Sequence, residues 1–511
     1  MNANLTIRSK IISSIASLRH GYLLRSFFAG ILIPFGFAPF HFPGVSILGL
    51  ALLFATLKFN SVKNSFRKGF VFGLGFFSFG ISWVYISINE YGHLGIILSA
   101  LITLLLIIYL SFYLGLFSSL YVKLAKNKSM LFSCLLFSSL WCLTEYLRST
   151  VISGFPWLLL GVSQMDSPLK YLMPIVGIYG VSFFTCLSAT FLIATTETVK
   201  VKRVIWLIAF VSVLLAPLFL KSINFTKTSD NQISVGVIQA NLSMRDKWDE
   251  SLFWQILQKY KEGIEQLIGK TQLIVLPEAA IPIPENYISD EIDNIHRQTD
   301  KANTAVLLGI PEATSSDESY YYNTITSLGR AKGRYKKQHL VIFGEYIPRP
   351  FESLMNYLAL PSSNLKPGQK NQELIEVAGH PIATLICYEL AYPQLLRNQL
   401  PKAEWIVSIS DDGWFGKSLA LYQHLQMAQA LSLLTGRYQI MSNNDGLSSI
   451  INEKGTIVNS LPAFSEGILE GNISGATGIT PWVFYGDTPI ILFFMLAPIL
   501  AFVRRNKIRS L

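Results

Sequence analysis

The stretch ATLICYELAYPQ, residues 383–394, sets the reading of the whole chain. An apolar, β-favouring run closes on Cys387, Tyr388 and Glu389, and a turn at Tyr392-Pro393 follows. This is the pattern of a buried strand that presents polar side chains at its end. ISVGVIQANL (233–242), QLIVLPE (272–278), TAVLLGIPE (304–312) and EWIVSISDD (404–412) repeat it, each ending in or near Glu, Asp or Asn. Between them, SLFWQILQKYKEGIEQLIG (251–269) and LALYQHLQMAQALSLLTG (419–436) carry helical periodicity. YQIMSNN, SSIINEKG and TIVNSL add strands, with Glu453-Lys454-Gly455 closing a hairpin. The expectation is an α/β fold with helices packed on sheets. Polar residues at strand ends are the usual material of an α/β active site.

Outside this region the composition changes. Of 511 residues, 51% are hydrophobic and 14% charged, with a mean hydropathy of +0.40; a soluble domain carries roughly 25% charged residues. Charge-poor runs at about 23–40, 43–57, 69–89, 93–122, 130–147, 169–194, 204–220 and 486–503 predict eight membrane spans. The run from His93 to Val122 is longer than an upright helix needs, so tilt or a kink is expected there. Basic residues fall on one side of this arrangement: Arg8, Lys10 and Arg19; Lys58, Lys63, Arg67 and Lys68; Lys123, Lys126 and Lys128; Lys200, Lys202 and Arg203; and Arg504, Arg505, Lys507 and Arg509. The short loops opposite carry only Arg148 and Lys170. Because basic loops stay in the cytoplasm, both termini are expected there. The organisation that follows is a membrane domain over 1–223, an extracytoplasmic domain over 224–482, and a last span with a basic tail over 483–511. The net charge of +10 reflects this asymmetry rather than a nucleic-acid surface.

Four cysteines occur, and Cys134, Cys142 and Cys186 fall in expected spans, where they read as small packing residues. Cys387 is alone in the 224–482 segment, which excludes an intramolecular disulfide there even in an oxidising compartment. A core thiol and a nucleophile both remain open on position alone. A nucleophilic thiol needs a base and a cation nearby. Glu278, at the end of LPE, is a candidate base, against the alternative of a solvated strand-end carboxylate. Lys337, in RYKKQHLVIFGEY (334–346), precedes an apolar run and Glu345; it is either a surface lysine beside Arg334 and Lys336 or an inward-turned cation. The seven histidines form no HExxH or close pair, so a zinc site is not expected. Neither a GxSxG elbow nor a phosphate-binding glycine loop follows a strand. His424 reads as a structural hydrogen-bonding residue.

LPE, YKKQHLVIFGEY and ICYE, in that order, resemble the Glu-Lys-Cys motifs of the nitrilase superfamily. Such a domain inserted before the last of eight spans, together with EYLRSTVISGFPWLLLGVSQ (145–164), QANLSMRDKWDE (239–250), SDDGWFG and YQHLQMAQA, is similar to the bacterial apolipoprotein N-acyltransferases along nearly the whole chain. The resemblance implies an αββα sandwich joined to a polytopic helical membrane domain. It implies Glu278 as general base, Lys337 as oxyanion stabiliser and Cys387 as nucleophile. Glu345 and Glu389 would be supporting carboxylates, with Tyr388, Trp248 and Trp414 shaping the pocket. No cofactor or metal is implied. The implied reaction is ping-pong transfer of an acyl chain from a membrane phospholipid, through a Cys387 thioester, to the N-terminal α-amine of a diacylglyceryl-cysteine apolipoprotein at the bacterial inner membrane. Ile342 stands where the family usually has Pro, and Asp411-Asp412-Gly413 replaces Asn-Asp-Ala, which affects loop geometry but not the triad. A membrane-tethered amidase acting on a soluble C–N bond is the alternative, and a receptor or scaffold with an inactive domain is a third reading. The apolar segment 352–362, with Leu354, Met355, Leu358 and Leu360, is expected to be either a lipid-dipping arm or a loop over the core. Glu145, near Arg148, is left as either functional or paired.

Overall fold

A computed structural model describes residues 21–58, 60–92, 94–314, 317–348, 353 and 364–509, without the side chains of 317–319 and 504–509. Apart from Ser353, the expected arm at 352–362 lies outside the described residues. The chain divides into two compact units, Met1–Tyr85 with Gly95–Ser222 and Asp487–Leu511, and Ile86–Leu94 with Ile223–Gly486.

Among the described residues each of the eight apolar runs overlaps a helix, but fewer of these helices are long enough to span than the sequence suggested. Gly95–Ala125, Met130–Ser153, Pro168–Glu197 and Val201–Leu220 have the length and composition to cross a membrane. Val62–Gly80 and Trp83–Tyr91 add a fifth if the pair, bent by 57°, counts as one span. Gly21–Gly36, Pro43–Leu57 and Thr488–Val503 are shorter apolar helices at the remaining positions. The run after His93 forms a single 31-residue helix.

Glu145 and Arg148 are both buried, and each is engaged mainly with a loop. The Glu145 carboxylate accepts from the Trp141 indole (3.0 Å) and from the main-chain N–H of Leu160 (2.8 Å). The Arg148 guanidinium donates to the carbonyls of Phe155 (2.6 Å) and Trp157 (2.7 Å). One helical turn separates the two residues, so one helix face satisfies the irregular backbone of GFPWLLLG. Such backbone is tolerated at membrane depth only when its polar groups find protein partners.

The second unit contains two sheets. The first has the order β13-β1-β2-β3-β4-β6, with β1 (Thr226–Gln239), β2 (Leu273–Val275), β3 (Ala305–Thr314), β4 (Asp317–Gly329), β6 (Arg334–Lys336) and β13 (Gly467–Gly478). The second runs β12-β11-β10-β9-β8-β7-β5, with β5 (Ala331–Lys332), β7 (Ile375–Val377), β8 (His380–Ile386), β9 (Ile406–Ser410), β10 (Gln439–Asn443), β11 (Ser449–Ile451) and β12 (Ile457–Ser460). β1, β2 and β3 are mutually parallel, as are β8, β9 and β10.

Period-two alternation assigns the side chains to layers. Val235, Val237, Leu273, Val275, Ala305 and Leu307 face Ile382, Ile386, Val407, Ile409 and Ile440 in the core between the sheets. Ile238, Ile274, Val306, Leu308 and Ile310 point the other way, onto helices Phe253–Leu267 and Ser289–Lys301. Each fully buried Val, Leu or Ile contributes about 1.5–3 kcal/mol, so a slip of one residue in any central strand would exchange both layers at once. Helix Ala420–Thr435 is almost wholly buried. Five strands were not apparent in the sequence, the long β4 and β13 and the short β5, β6 and β7. β13, GILEGNISGATG, is interrupted by glycines, and it is fixed by its long antiparallel pairing with β1.

Candidate active site

Glu278, Lys337 and Cys387 each lie just beyond a strand, after β2, β6 and β8 respectively, and the fold gathers them at one end of the sandwich. Lys337 Nζ lies 3.4 Å from Glu278 Oε1 and 2.7 Å from Glu345 Oε1. The lysine side chain is 1% exposed; the inward orientation is therefore the correct one, while Arg334 and Lys336 form ion pairs with Glu285 and Glu312 nearer the surface. Burial alone lowers the affinity of the Lys337 amine for its proton, but the charges of Glu278, Glu345 and Cys387 outweigh it and hold the ammonium well above the usual lysine value. It is a fixed cation.

The main chain brings Glu278 and Cys387 to their places through uncommon conformations. Cys387 has φ +53° as β8 ends and a short 3-10 helix, Cys387–Ala391, begins. A non-glycine residue in this region is strained by about 1–3 kcal/mol. The turn after Glu278 holds Ala279 at φ +43°. Gly309 on β3 passes so near that a Cβ there would lie 2.1 Å from the Pro277 carbonyl and 2.9 Å from the Glu278 Cα, so only glycine fits. The Glu278 carboxylate accepts from the Asn323 amide (2.7 Å) and the Asp411 N–H (3.0 Å) as well as facing Lys337. Burial pushes the half-buried Cys387 thiol well above its ordinary range; Glu278 and Asp412 add to this, and Lys337 opposes it. Forming a thiolate here requires a base at hand and a cation in place, and the charged groups acting on this thiol include the Glu278 carboxylate and the Lys337 ammonium.

The supporting residues divide by what they touch. Glu345 binds Lys337 with one oxygen and the Val341 N–H with the other (2.8 Å), which fixes the loop carrying it. Glu389 is fully buried and accepts from the N–H groups of Gln338 (2.6 Å), His339 (3.0 Å) and Ile386 (2.8 Å) and from the Tyr335 hydroxyl (3.1 and 3.0 Å). One carboxylate thus clamps the segment carrying Lys337 to the turn carrying Cys387. Burial raises Glu389 to about 7, against the pull of those amides and of Lys337. Tyr388 packs edge-on to Tyr392 at 5.4 Å. Trp414 is partly exposed, meets the Tyr91 ring at 5.4 Å, and its carbonyl accepts from Ser87 Oγ at 2.6 Å. Trp248 exposes 52% of its surface.

Sequence reasoning missed several residues that build this site. Lys247, 1% exposed, donates to the Glu278 carbonyl (2.8 Å) and forms a salt bridge with Asp411. Asn323 orients the Glu278 carboxylate, and Tyr335 completes the clamp at Glu389. The one available signal was Asp411 itself, where the chain departs from the Asn of related motifs: a buried Asp needs a cation, but nothing local points to Lys247, 164 residues away in sequence. Among the described residues, no group of three or more His, Cys, Asp or Glu is arranged to hold a metal ion.

Comparison with known proteins bears on the whole chain. Residues 29–191 match the apolipoprotein N-acyltransferase N-terminal domain and residues 234–479 match the carbon-nitrogen hydrolase family. A carbon-nitrogen hydrolase from Helicobacter pylori G27, of known crystal structure, aligns with a TM-score of 0.36 at 16% identity, covering 47% of this chain and 89% of that one. Relatives named apolipoprotein N-acyltransferase are 36% identical in Coxiella burnetii (92% of this chain, 98% of the relative), 33% in Azotobacter vinelandii (94% and 95%) and 34% in Pseudomonas aeruginosa (92% and 93%). With such identity sustained along nearly the whole of each relative, the chain belongs to the apolipoprotein N-acyltransferase family.

Proposed function

We propose that this protein, a bacterial membrane-embedded acyltransferase, moves an acyl chain from a phospholipid to the N-terminal amine of a diacylated lipoprotein in two steps at Cys387. Glu278 takes the thiol proton and the thiolate attacks the sn-1 ester carbonyl of a phospholipid such as phosphatidylethanolamine. Lys337 stabilises the tetrahedral oxyanion, the C–O bond breaks, and Glu278 returns the proton to the departing lysophospholipid oxygen, leaving a thioester. The α-amine of a diacylglyceryl-cysteine then attacks the thioester, Glu278 accepts its proton, and the thiol is released with the amide formed. The observation that carries this reading is the gathering of Glu278, Lys337 and Cys387 at three strand ends, with Lys337 held between Glu278 and Glu345.

Residues 224–482 form the catalytic domain on the periplasmic side of a membrane-embedded chain with both termini cytoplasmic. The one-sided distribution of basic residues supports that orientation. Both substrates are anchored by acyl chains, so a site serving them opens at the bilayer surface, and excluding water preserves the thioester until the amine arrives. The amidase alternative is not favoured, because the relatives matched over nearly their whole length carry the acyltransferase name.

The test reconstitutes the protein in phosphatidylethanolamine vesicles with a synthetic diacylglyceryl-cysteinyl lipopeptide and reads the product by mass. The lipopeptide should gain one acyl chain on its α-amine, and Cys387→Ala should abolish the gain. Hydrolysis of a soluble amide without acyl transfer would overturn the proposal in favour of the amidase.

A further inference from the structure

One buried titratable pair beside the nucleophile has no part in the mechanism above. His424, on helix Ala420–Thr435, and Asp412, after β9, are 1% and 0% exposed. His424 Nδ1 lies 2.9 Å from Asp412 Oδ1, and Nε2 lies 3.3 Å from the main-chain carbonyl oxygen of Cys387. A neutral imidazole has one N–H and donates at one nitrogen only. Here both nitrogens face acceptors, since a carbonyl cannot donate and the Asp412 carboxylate is the anion that the Ser410 hydroxyl (2.7 Å) and the Asn443 side-chain amide (2.8 Å) also approach. Only the doubly protonated ring satisfies both contacts.

We propose that His424 is a positioning residue kept as an imidazolium: it holds the carbonyl of Cys387 in its strained turn and cancels the Asp412 charge that otherwise opposes the thiolate. This rests on Cys387 being the nucleophile. The charged and titratable groups facing the ring are Asp412 from the turn after β9, Cys387 from the turn after β8 and Glu278 from the turn after β2, while the Phe415 ring meets it edge-on at 6.0 Å. Burial by itself would drive the proton off His424, yet Asp412, the Cys387 carbonyl and Glu278 outweigh burial and raise its proton affinity above the ordinary histidine value. Asp412 pushes the Cys387 thiol up, so neutralising Asp412 is a service to the nucleophile as well as to the fold.

The test measures the rate at which iodoacetamide alkylates Cys387 as a function of pH, in the full-length protein in detergent, by peptide mass. It does not depend on acyl transfer. Removing His424 leaves Asp412 as a bare anion, so His424→Gln should raise the midpoint by about one pH unit or more, the effect of a nearby like charge. The double variant His424→Gln with Asp412→Asn should return most of that shift, because the local charge is again balanced. Asp412→Asn alone removes the anion that holds the proton on the buried ring, so the ring turns neutral, the local charge stays balanced, and the midpoint should stay within about 0.3 of a unit of the unmodified protein. A purely structural role predicts the double variant to be no better than either single one. A His424→Gln midpoint unchanged from the unmodified protein, a double variant that stays at the His424→Gln value, or an Asp412→Asn midpoint raised as far, would each overturn the proposal. Should His424→Gln not fold, His424→Asn, which also removes the cation, is read by the same criterion. Failure of Cys387 to acquire lipid acyl label would instead count against the nucleophile assignment, independently of these midpoints.

Discussion

Lys337 and Lys247 are both 1% exposed, and both reach Glu278, but at different atoms. Lys337 faces the carboxylate and interacts electrostatically with Cys387. Lys247 holds the main-chain carbonyl of Glu278, and its partner Asp411 is engaged further by the Gly413 N–H and the Asn444 amide, both at 3.3 Å. A buried lysine with its charge committed to one carboxylate and one carbonyl is a fastener. A buried lysine shared between two carboxylates and a thiol is available to a developing oxyanion. Burial therefore does not distinguish the two roles, whereas the set of facing atoms does.

Breaking the fastener should cost most in stability. Lys247→Met leaves Asp411 charged and unpaired in the interior, a loss of about 3–5 kcal/mol, read as a lowered unfolding temperature in detergent. Adding Asp411→Asn should recover a large part of it; no recovery would mean that the lysine's packing, and not its charge, matters. Lys337→Met should act on the other side of the comparison, lowering kcat by about 10²–10³, the usual loss for one oxyanion donor. A Lys337→Met variant with normal kcat and raised KM would move Lys337 from oxyanion stabilisation to substrate binding.

Glu389 joins the two halves of the site, so its effect should be intermediate and dependent on pH. With its carboxyl raised to about 7, it takes up a proton as pH falls through that value. The protonated acid then has one oxygen fewer to offer to the N–H groups of Gln338, His339 and Ile386. An acid limb in kcat/KM near pH 7 is expected, replaced in Glu389→Gln by a low, flat profile. The linkage runs the other way for stability. A carboxyl raised from 4.5 to about 7 on folding means the native state binds more protons in that window, so this group's contribution is full below pH 4.5 and is lost as pH rises through about 7. The smallest effect is expected at Trp248, whose ring is largely exposed. Trp248→Ala should change stability by less than about 0.5 kcal/mol, leaving any consequence to appear in KM for the lipid substrates.

Much of the second unit was legible because parallel strands buried on both faces read as apolar runs, and because their ends are where QLIVLPE and ATLICYE change character. The membrane helices were equally plain from composition, although their lengths were not: a charge-poor run marks an apolar helix without saying where the backbone bends, as it does after Gly80. β4 and β13 were hidden because hydroxyl-rich and glycine-rich strands lose their alternation, and their pairing with β3 and β1 is a long-range property. Glu278, Lys337 and Cys387 were visible as three separate motifs. What joins the motifs, namely Asn323, Lys247 and Tyr335, comes from positions far apart in sequence that nothing local marks, whereas His424 was legible as a hydrogen-bonding residue but its partner Asp412 was not. Glu145 and Arg148 show the same limit, since the backbone groups of GFPWLLLG that they bind are not marked by any local pattern.

The central claim is that acyl transfer passes through Cys387. Incubating the protein with phospholipid carrying a labelled sn-1 chain, without acceptor, should give a hydroxylamine-labile label on the peptide containing Cys387, absent in Cys387→Ala and reduced in Lys337→Met. Labelled lipopeptide formed by a protein that never carries the label on Cys387 would contradict the account.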